Sequence, residues 1–251
     1  MPFTVSHAAA VLPLQKFGKH KLPLTALMIG SMAPDFGYFF SHEASRALTH
    51  SFMGLFVFAL PAGLLVWLFY VAVLEKATIT LLSDRWHTRF AHTDALTLPL
   101  VGRAAIAVLL GAVTHIVWDA FTHRGTFVTE AFAVLRGPTP GFSWLPIYHL
   151  LHGLSSVVGL VILMIWARNL HRVPAKSLIR PYRISEQARS GALWILLATS
   201  LLGGLVDWLP YAHRRYDAQF FGAAVGVMSG FFVAWCCIAI AMRINARRVA
   251  K

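Results

Sequence analysis

Charged residues are scarce in this chain of 251 residues: Asp, Glu, Lys and Arg together make up only 13% of it. Soluble domains contain about 25% charged residues, so the shortage argues against an ordinary soluble globular protein. The hydrophobic fraction of 57% predicts an integral membrane protein instead. The net charge of +12 does not indicate nucleic-acid binding in so apolar a chain. We attribute the basic residues to loops that fix the orientation of membrane helices.

Cysteine is also rare. Cys236 and Cys237 are adjacent within an apolar run, which excludes a disulfide framework and fits no thiolate metal site. The N-terminus has no basic segment ahead of its apolar stretch, so we expect no cleaved signal peptide. Repeats and low-complexity tracts are not visible, and the sequence predicts a single integral membrane domain over residues 1–251.

Long apolar runs fill most of the chain. Two weaker segments, 3–15 and 22–40, come first, and Pro34 should break the second of them near its end. The predicted fold is all-α, a polytopic membrane bundle of about six or seven helices. Residues 1–168 should form a ligand-bearing core, 169–190 a basic cytoplasmic loop, and 191–251 two accessory membrane helices. The five clear runs of about membrane-spanning length are 53–74, 104–121, 154–168, 191–211 and 219–242.

Lys and Arg residues are distributed unevenly among the loops. There are four in 75–103, two in 122–153, six in 168–190, and four in the tail after residue 242. By the positive-inside rule, the first and third of these regions and the C-terminus are cytoplasmic. The N-terminus lies outside if 3–15 crosses the bilayer, which gives seven helices. A six-helix version with the N-terminus inside fits the charge counts equally well.

One apolar run carries ionisable groups at even spacing. His115, Asp119 and His123 recur every four residues, which places them on one face of a helix. Two such steps cover about 12 Å of rise. His115 and Asp119 can therefore share one ion, while His123 is better placed for a second.

Further ionisable groups map to the same, outer half of the bilayer. His7 joins them only if the N-terminus lies outside, which favours the seven-helix version. Taken alone, a membrane histidine is more often an interhelical hydrogen-bonding group, but ionisable groups gathered at membrane depth are rare and mostly functional. Imidazole and carboxylate without thiolate suit zinc, manganese or iron. The predicted exoplasmic metal site consists of His7, Asp35, His50, His115, Asp119, His123, His149 and His152.

Several blocks in the first two-thirds of the chain resemble a known family. In order, they are MPFTVSHAAAVLPL, ALMIGSMAPDFGYF, LTHSFMGLF, GAVTHIVWDAFTHRG and LPIYHLLHGLSS. They resemble an uncharacterised bacterial membrane family, the domain of unknown function 4184, from Met1 to about Arg168. This resemblance implies a multi-pass protein of the bacterial inner membrane.

The same block order is similar, more distantly, to zinc-dependent phospholipase C and membrane-bound metal-dependent hydrolases. Those families show an early His, a Pro-Asp, a Thr-His, a His-x-x-x-Asp on a core helix, and later ligands. The pattern departs here at both ends, because six residues precede His7 and a His stands where a Glu ligand would follow His149. The resemblance implies a phospholipase C-like helical metal core with two or more divalent ions, above all zinc. The matching residues are His7, Asp35, His50, His115, Asp119, His123, His149 and, last, His152.

These observations lead to one expected function and two rivals. The expected function is a metal-dependent membrane hydrolase of a phosphoester, with membrane lipids or a lipid-linked molecule as substrate, and Asp35 or Asp119 as general base. The first rival is a non-catalytic metal-binding protein or a small transporter. The second rival is a helical scaffold whose histidines form hydrogen bonds and bind no metal. The inner halves of 53–74 and 104–121 are wholly apolar, which disfavours a transport path.

Overall fold

The fold is seen in a computed structural model that describes residues 4–16, 21–40, 46–82, 93, 95–169, 180–213 and 216–249. The prediction of five clear membrane runs is confirmed, and the protein is an all-α membrane protein. Each run forms a helix long and apolar enough to cross a bilayer. These helices are Phe52–Leu81, Leu98–Ala131, Ile147–Arg168, Glu186–Tyr211 and Ala218–Arg248.

The two weaker segments form short helices instead of single spans. Segment 3–15 contains two short 3-10 helices, and segment 22–40 contains an α-helix, α1 (Leu24–Gly30), followed by a third 3-10 helix. Each of the two helices in segment 22–40 begins at a proline. Pro23 immediately precedes α1, and Pro34 lies in the first turn of the 3-10 helix that follows. Because proline lacks an N–H, it begins helices readily and interrupts them elsewhere. The described residues thus contain five membrane-length helices, where six or seven were expected.

The remaining elements follow in chain order. A short helix, α2, precedes the first long helix, and a helix pair and a two-stranded hairpin connect the second long helix to the third. Their bounds are α2 (Arg46–Thr49), α3 (Phe52–Leu81, with π-helical turns at Leu55–Ala59 and Tyr70–Leu74), α4 (Leu98–Thr122), α5 (Phe127–Ala131), α6 (Ala133–Arg136), β1 (Pro138–Thr139), β2 (Phe142–Pro146), α7 (Ile147–Arg168), α8 (Glu186–Trp208) and α9 (Tyr216–Val249); the 3-10 helices are Thr4–Ala9, Leu12–Lys16, Ala33–Phe39 and Leu209–Tyr211.

The chain divides into two compact units. The first comprises Met1–Trp67 and Ala95–Leu170, and the second comprises Leu68–Asp94 and His171–Lys251. All eight candidate ligands belong to the first unit. The second unit packs α8 against α9 around an apolar cluster of Leu81, Ala192, Leu196 and Ala234.

In the first unit, α1 and α4 approach each other closely because glycines lie at their contact. A Cβ atom on Gly111 would lie 2.3 Å from the carbonyl oxygen of Leu27, and one on Gly30 would lie 2.3 Å from that of Val108. A larger residue cannot be accommodated without separating the two backbones. The close approach brings the Ser31 carbonyl, just after α1, against His115, one turn beyond Gly111.

Replacing Gly111 with alanine should therefore separate α1 from α4 and destabilise the first unit. Overpacking typically costs about 1–3 kcal/mol, and here the clash is with backbone atoms that no rotamer change can move. The melting temperature of the purified protein, followed by fluorescence-detected size-exclusion chromatography after heating, should fall by several degrees. Gly102→Ala is the matched control, since nothing lies within 4 Å of a Cβ at that position of the same helix. Equal melting temperatures for the two variants would contradict this packing.

Candidate metal centre

His115 lies at the middle of the candidate centre and is completely buried. Its Nδ1 atom is 2.7 Å from the carbonyl oxygen of Ser31. Because a carbonyl oxygen only accepts hydrogen bonds, Nδ1 must be the donor, and the neutral ring then carries its lone pair on Nε2. A backbone carbonyl bonded to the far nitrogen is the usual way in which a metal-binding histidine is oriented.

Three donor atoms from three different elements form a compact triangle. His50 Nε2 lies 3.3 Å from His115 Nε2 and 3.3 Å from Asp35 Oδ1. The distance between His115 Nε2 and Asp35 Oδ1 is 3.5 Å. Ligands at zinc distances of 2.0–2.2 Å and tetrahedral angles lie about 3.3–3.5 Å from one another. The triangle therefore has the size of one face of a zinc coordination tetrahedron.

A second set of donors overlaps the first. The His7 ring stacks on that of His115, with 4.0 Å between ring centroids, and His7 Nε2 lies 3.6 Å from Asp119 Oδ1. The other oxygen, Asp119 Oδ2, lies 3.4 Å from His50 Nε2 and 3.5 Å from His115 Nε2. Because His115 has one nitrogen left for a ligand bond, the two sets share that nitrogen and describe one continuous centre.

Each buried carboxylate has one oxygen satisfied by the protein and one without a partner. Thr4 Oγ1 donates to Asp35 Oδ2 at 2.9 Å, and Arg46 Nη2 donates to Asp119 Oδ2 at 2.7 Å. Among the described residues, His7 Nε2 and the Oδ1 atoms of both carboxylates have no hydrogen-bond partner. Buried polar atoms are rarely left unsatisfied, because each costs free energy. These buried His and Asp groups can hold a metal ion.

The environments of His7 and Asp35 favour their metal-binding forms. Burial, helped by neighbouring His115, lowers the pKa of His7 to about 3, so its imidazole is neutral at pH 7. Burial by itself would raise the pKa of Asp35, but the neighbouring imidazoles of His115 and His50 stabilise its charged form and lower the pKa below its ordinary value. At pH 7, Asp35 is therefore an anion and the imidazole of His7 is neutral.

The last three predicted ligands form a row that leads away from the centre. His123 Nδ1 lies 3.5 Å from Asp119 Oδ2, and the His123 ring meets His152 edge to face at 5.4 Å between centroids. The exposed ring of His149 lies 5.8 Å from that of His152 and stacks on Tyr148. The structure thus brings five of the eight predicted ligands together and places His123 at their border, with His152 and His149 beyond it. The converging five are His7, Asp35, His50, His115 and Asp119.

Sequence reasoning missed the groups that support these ligands. Arg46 pairs with Asp119, Thr4 with Asp35, and Thr49 Oγ1 lies 2.9 Å from His50 Nδ1. Arg46 had a detectable signal, because it stands four residues before His50 and is the only basic residue in 41–50 except histidine. That spacing places both side chains on one face of a helical turn. The contacts of Thr4 and of the Ser31 carbonyl depend on tertiary packing and left no pattern in the sequence.

Comparison with known proteins identifies the family. The family model described as Domain of unknown function (DUF4184) matches residues 1–242, and the chain belongs to that family. The match continues well past Arg168, to which the resemblance seen in the sequence extends. No curated protein and no solved structure matches the chain.

Replacing Asp119 with asparagine should weaken metal binding. The amide keeps the size of the side chain and can still accept from Arg46, but it removes a buried negative charge that a cation neutralises. We expect the wild-type protein to carry at least one divalent ion per chain, and the variant to bind it about tenfold or more weakly. Metal analysis of protein purified in detergent, followed by competition with a chromophoric chelator, measures both.

His213→Ala is the matched control for that experiment, because His213 is an exposed histidine of the second unit. Its metal content should equal that of the wild type. A wild-type protein that holds no divalent ion even after incubation with zinc would refute the metal centre.

Proposed function

We propose that this protein is a metal-dependent membrane hydrolase that cleaves a phosphoester. The observation that carries the proposal is the triangle of Asp35 Oδ1, His50 Nε2 and His115 Nε2. Catalytic zinc sites commonly use three protein ligands and leave the fourth position for water or substrate. The size of the triangle and its mixture of two imidazoles and one carboxylate fit such a site, and zinc is our preferred ion.

The chemistry requires a Lewis acid and a base. The triangle of Asp35, His50 and His115 would hold a divalent ion, which would supply the Lewis acid and make hydroxide available near neutral pH. Asp35 is placed as a ligand, because its Oδ1 belongs to the triangle. Asp119 is placed as the general base: Arg46 and the imidazoles around it orient its carboxylate, and its Oδ1 has no hydrogen-bond partner among the described residues. His123, beside Asp119, is the candidate ligand for a second ion.

A lipid or lipid-linked substrate is supported by the segment that joins α4 to α7. This segment carries four large exposed aromatic side chains, and it lies at the same ends of α4 and α7 as His123 and His152. The four are Phe127 (77% exposed), Phe132 (58%), Phe142 (53%) and Trp144 (76%). Aromatic side chains prefer the membrane–water interface. We place this segment in the outer interface of a bacterial inner membrane, with the C-terminus in the cytoplasm. The distant likeness to zinc phospholipase C agrees with that assignment.

The alternative is a non-catalytic metal-binding protein, and one observation favours it. Asp35 and Asp119 are each only 2% exposed and His115 is 0% exposed, which is typical of a closed structural site. Against it, the side chain of Arg46, which contacts Asp119 directly, is 31% exposed. We infer that substrate approaches the centre from that side, and we therefore prefer the enzyme.

Hydrolysis should depend both on metal and on Asp119. Protein in lipid nanodiscs should release a labelled headgroup from a panel of phospholipids, or p-nitrophenol from a phosphodiester, at a rate that a chelator abolishes and zinc restores. Asp119→Asn should lower the rate at least a hundredfold, in the range expected for the loss of a general base. Wild-type protein that carries its metal and cleaves no ester of the panel would favour the non-catalytic alternative. His213→Ala serves again as the control.

The joining segment should contact lipid. We expect an environment-sensitive fluorophore on Trp144→Cys, in a background with Cys236 and Cys237 replaced by alanine, to be quenched strongly by lipids carrying a spin label near the headgroup. The same fluorophore on His213→Cys, an exposed turn between two long helices, should be quenched less. Water-like emission and weak quenching at position 144 would remove the support for an interfacial location.

A further inference from the structure

Among the described residues of the centre, Arg46 makes the shortest ionic contact between a buried carboxylate and a side chain that is open to solvent. It begins α2, and its Nη2 donates to Asp119 Oδ2 at 2.7 Å. The Arg46 side chain is 31% exposed, whereas Asp119 is 2% exposed. His50, four residues later on the same turn, turns inward as part of the triangle. One helical turn thus presents a ligand to the inside and a guanidinium to the outer edge.

The guanidinium has capacity to bind more than Asp119. A guanidinium carries five N–H donors in a planar fork that matches the oxygens of a phosphate, and the contact with Asp119 uses a minority of them. Tyr38 is a further neighbour of the guanidinium: burial raises the pKa of this tyrosine, and Arg46 acts in the opposite direction. The Arg46 side chain is also 31% exposed, so an anion from solvent can reach it.

The charges of the centre leave an excess that an anion would neutralise. Among the described residues, Asp35 and Asp119 contribute two negative charges, while Arg46 and a divalent ion would contribute three positive charges, with the imidazoles neutral as ligands. In a site of low dielectric constant an uncompensated charge is costly. One positive charge therefore remains to be balanced by whatever binds on the open side.

We propose that Arg46 and the metal centre together form a binding site for a phosphoryl oxyanion, with Arg46 as the residue that holds the non-reacting oxygens of the substrate. This inference rests on the proposed hydrolase function and adds to it the residue that recognises the phosphoryl group. Arg46 keeps its contact with Asp119 while it binds the anion, so the phosphoryl group is positioned next to the carboxylate that acts as base. An uncharged ester or an amine would gain nothing from this arrangement.

The probe for this site is inorganic phosphate, bound to protein loaded with Mn²⁺. Paramagnetic broadening of the phosphorus-31 resonance gives the affinity and requires no turnover. We expect phosphate to bind the wild-type protein, and Arg46→Gln to weaken binding at least tenfold while the manganese content stays equal. Arg46→Lys keeps the charge without the fork and should lie between the two. Arg136→Gln is the matched control, because Arg136 pairs with Glu130 on the exposed helix pair, and its phosphate affinity should be unchanged.

The outcomes separate this inference from the function on which it rests. Unchanged phosphate affinity in Arg46→Gln, with metal bound and ester hydrolysis intact, would overturn the role of Arg46 and leave the hydrolase standing. Loss of metal from Arg46→Gln, together with wild-type phosphate affinity in Arg46→Lys, would assign Arg46 a purely structural role and also overturn the inference. Failure of the wild-type protein to load Mn²⁺ or zinc would overturn both proposals.

Discussion

The burial of two carboxylates is the constraint on which the first unit depends. Asp35 and Asp119 are each 2% exposed, in the interior of a largely apolar chain. The effective penalty for burying an ion is several kcal/mol, even after the protein relaxes, so each charge needs a partner. Arg46 partners one oxygen of Asp119, and Thr4 donates to one oxygen of Asp35. The other oxygen of each carboxylate lies near imidazole nitrogens, in groups of side chains that can hold a cation.

The converging groups come from elements that are far apart in sequence, so the geometry of the centre is a property of packing. Asp35 belongs to a 3-10 helix, His50 follows α2, and His115 belongs to α4. The contact of Gly30 and Gly111 fixes the distance between α1 and α4, and it thereby places the Ser31 carbonyl on His115. At Gly159 of α7, a Cβ atom would lie 2.7 Å from the Ser6 carbonyl oxygen. A third glycine thus permits the approach of the 3-10 helix that carries His7.

Much of this arrangement was visible in the sequence, and the part that was not has a physical explanation. Continuous apolar runs identified the five long helices, because a bilayer demands about 20 apolar residues in each. The four-residue spacing from His115 to Asp119 placed both on one helix face, as the structure shows. Hydropathy failed for 3–15 and 22–40, because it does not register prolines that divide an apolar run into short helices. The sidedness inferred from the Lys and Arg counts stays a prediction.

The ligand set was harder to predict than the helices. Periodicity gives the face of a helix but no information on which residues of other elements meet it, so eight candidates could not be ranked. The structure ranks them by distance: the row from His123 through His152 to His149 runs from a partly buried ring at the border of the centre to an exposed one. Arg46 escaped notice because an arginine between membrane segments is expected in a loop, where it would only mark topology.

Asp119 is a buried carboxylate that contacts side chains open to solvent. The triangle of Asp35, His50 and His115 is buried and can hold an ion, whereas Asp119 contacts both Arg46 and His123, whose side chains are 31% and 16% exposed. A purely structural site does not need a charged side chain that links a buried carboxylate to solvent. In such a site, apolar side chains packed over Asp119 would exclude water, and the ion alone would compensate the carboxylate. Arg46 instead keeps positive charge at the open side of the centre. That placement favours a centre whose remaining partner is an anion arriving from outside over a site closed around its ion.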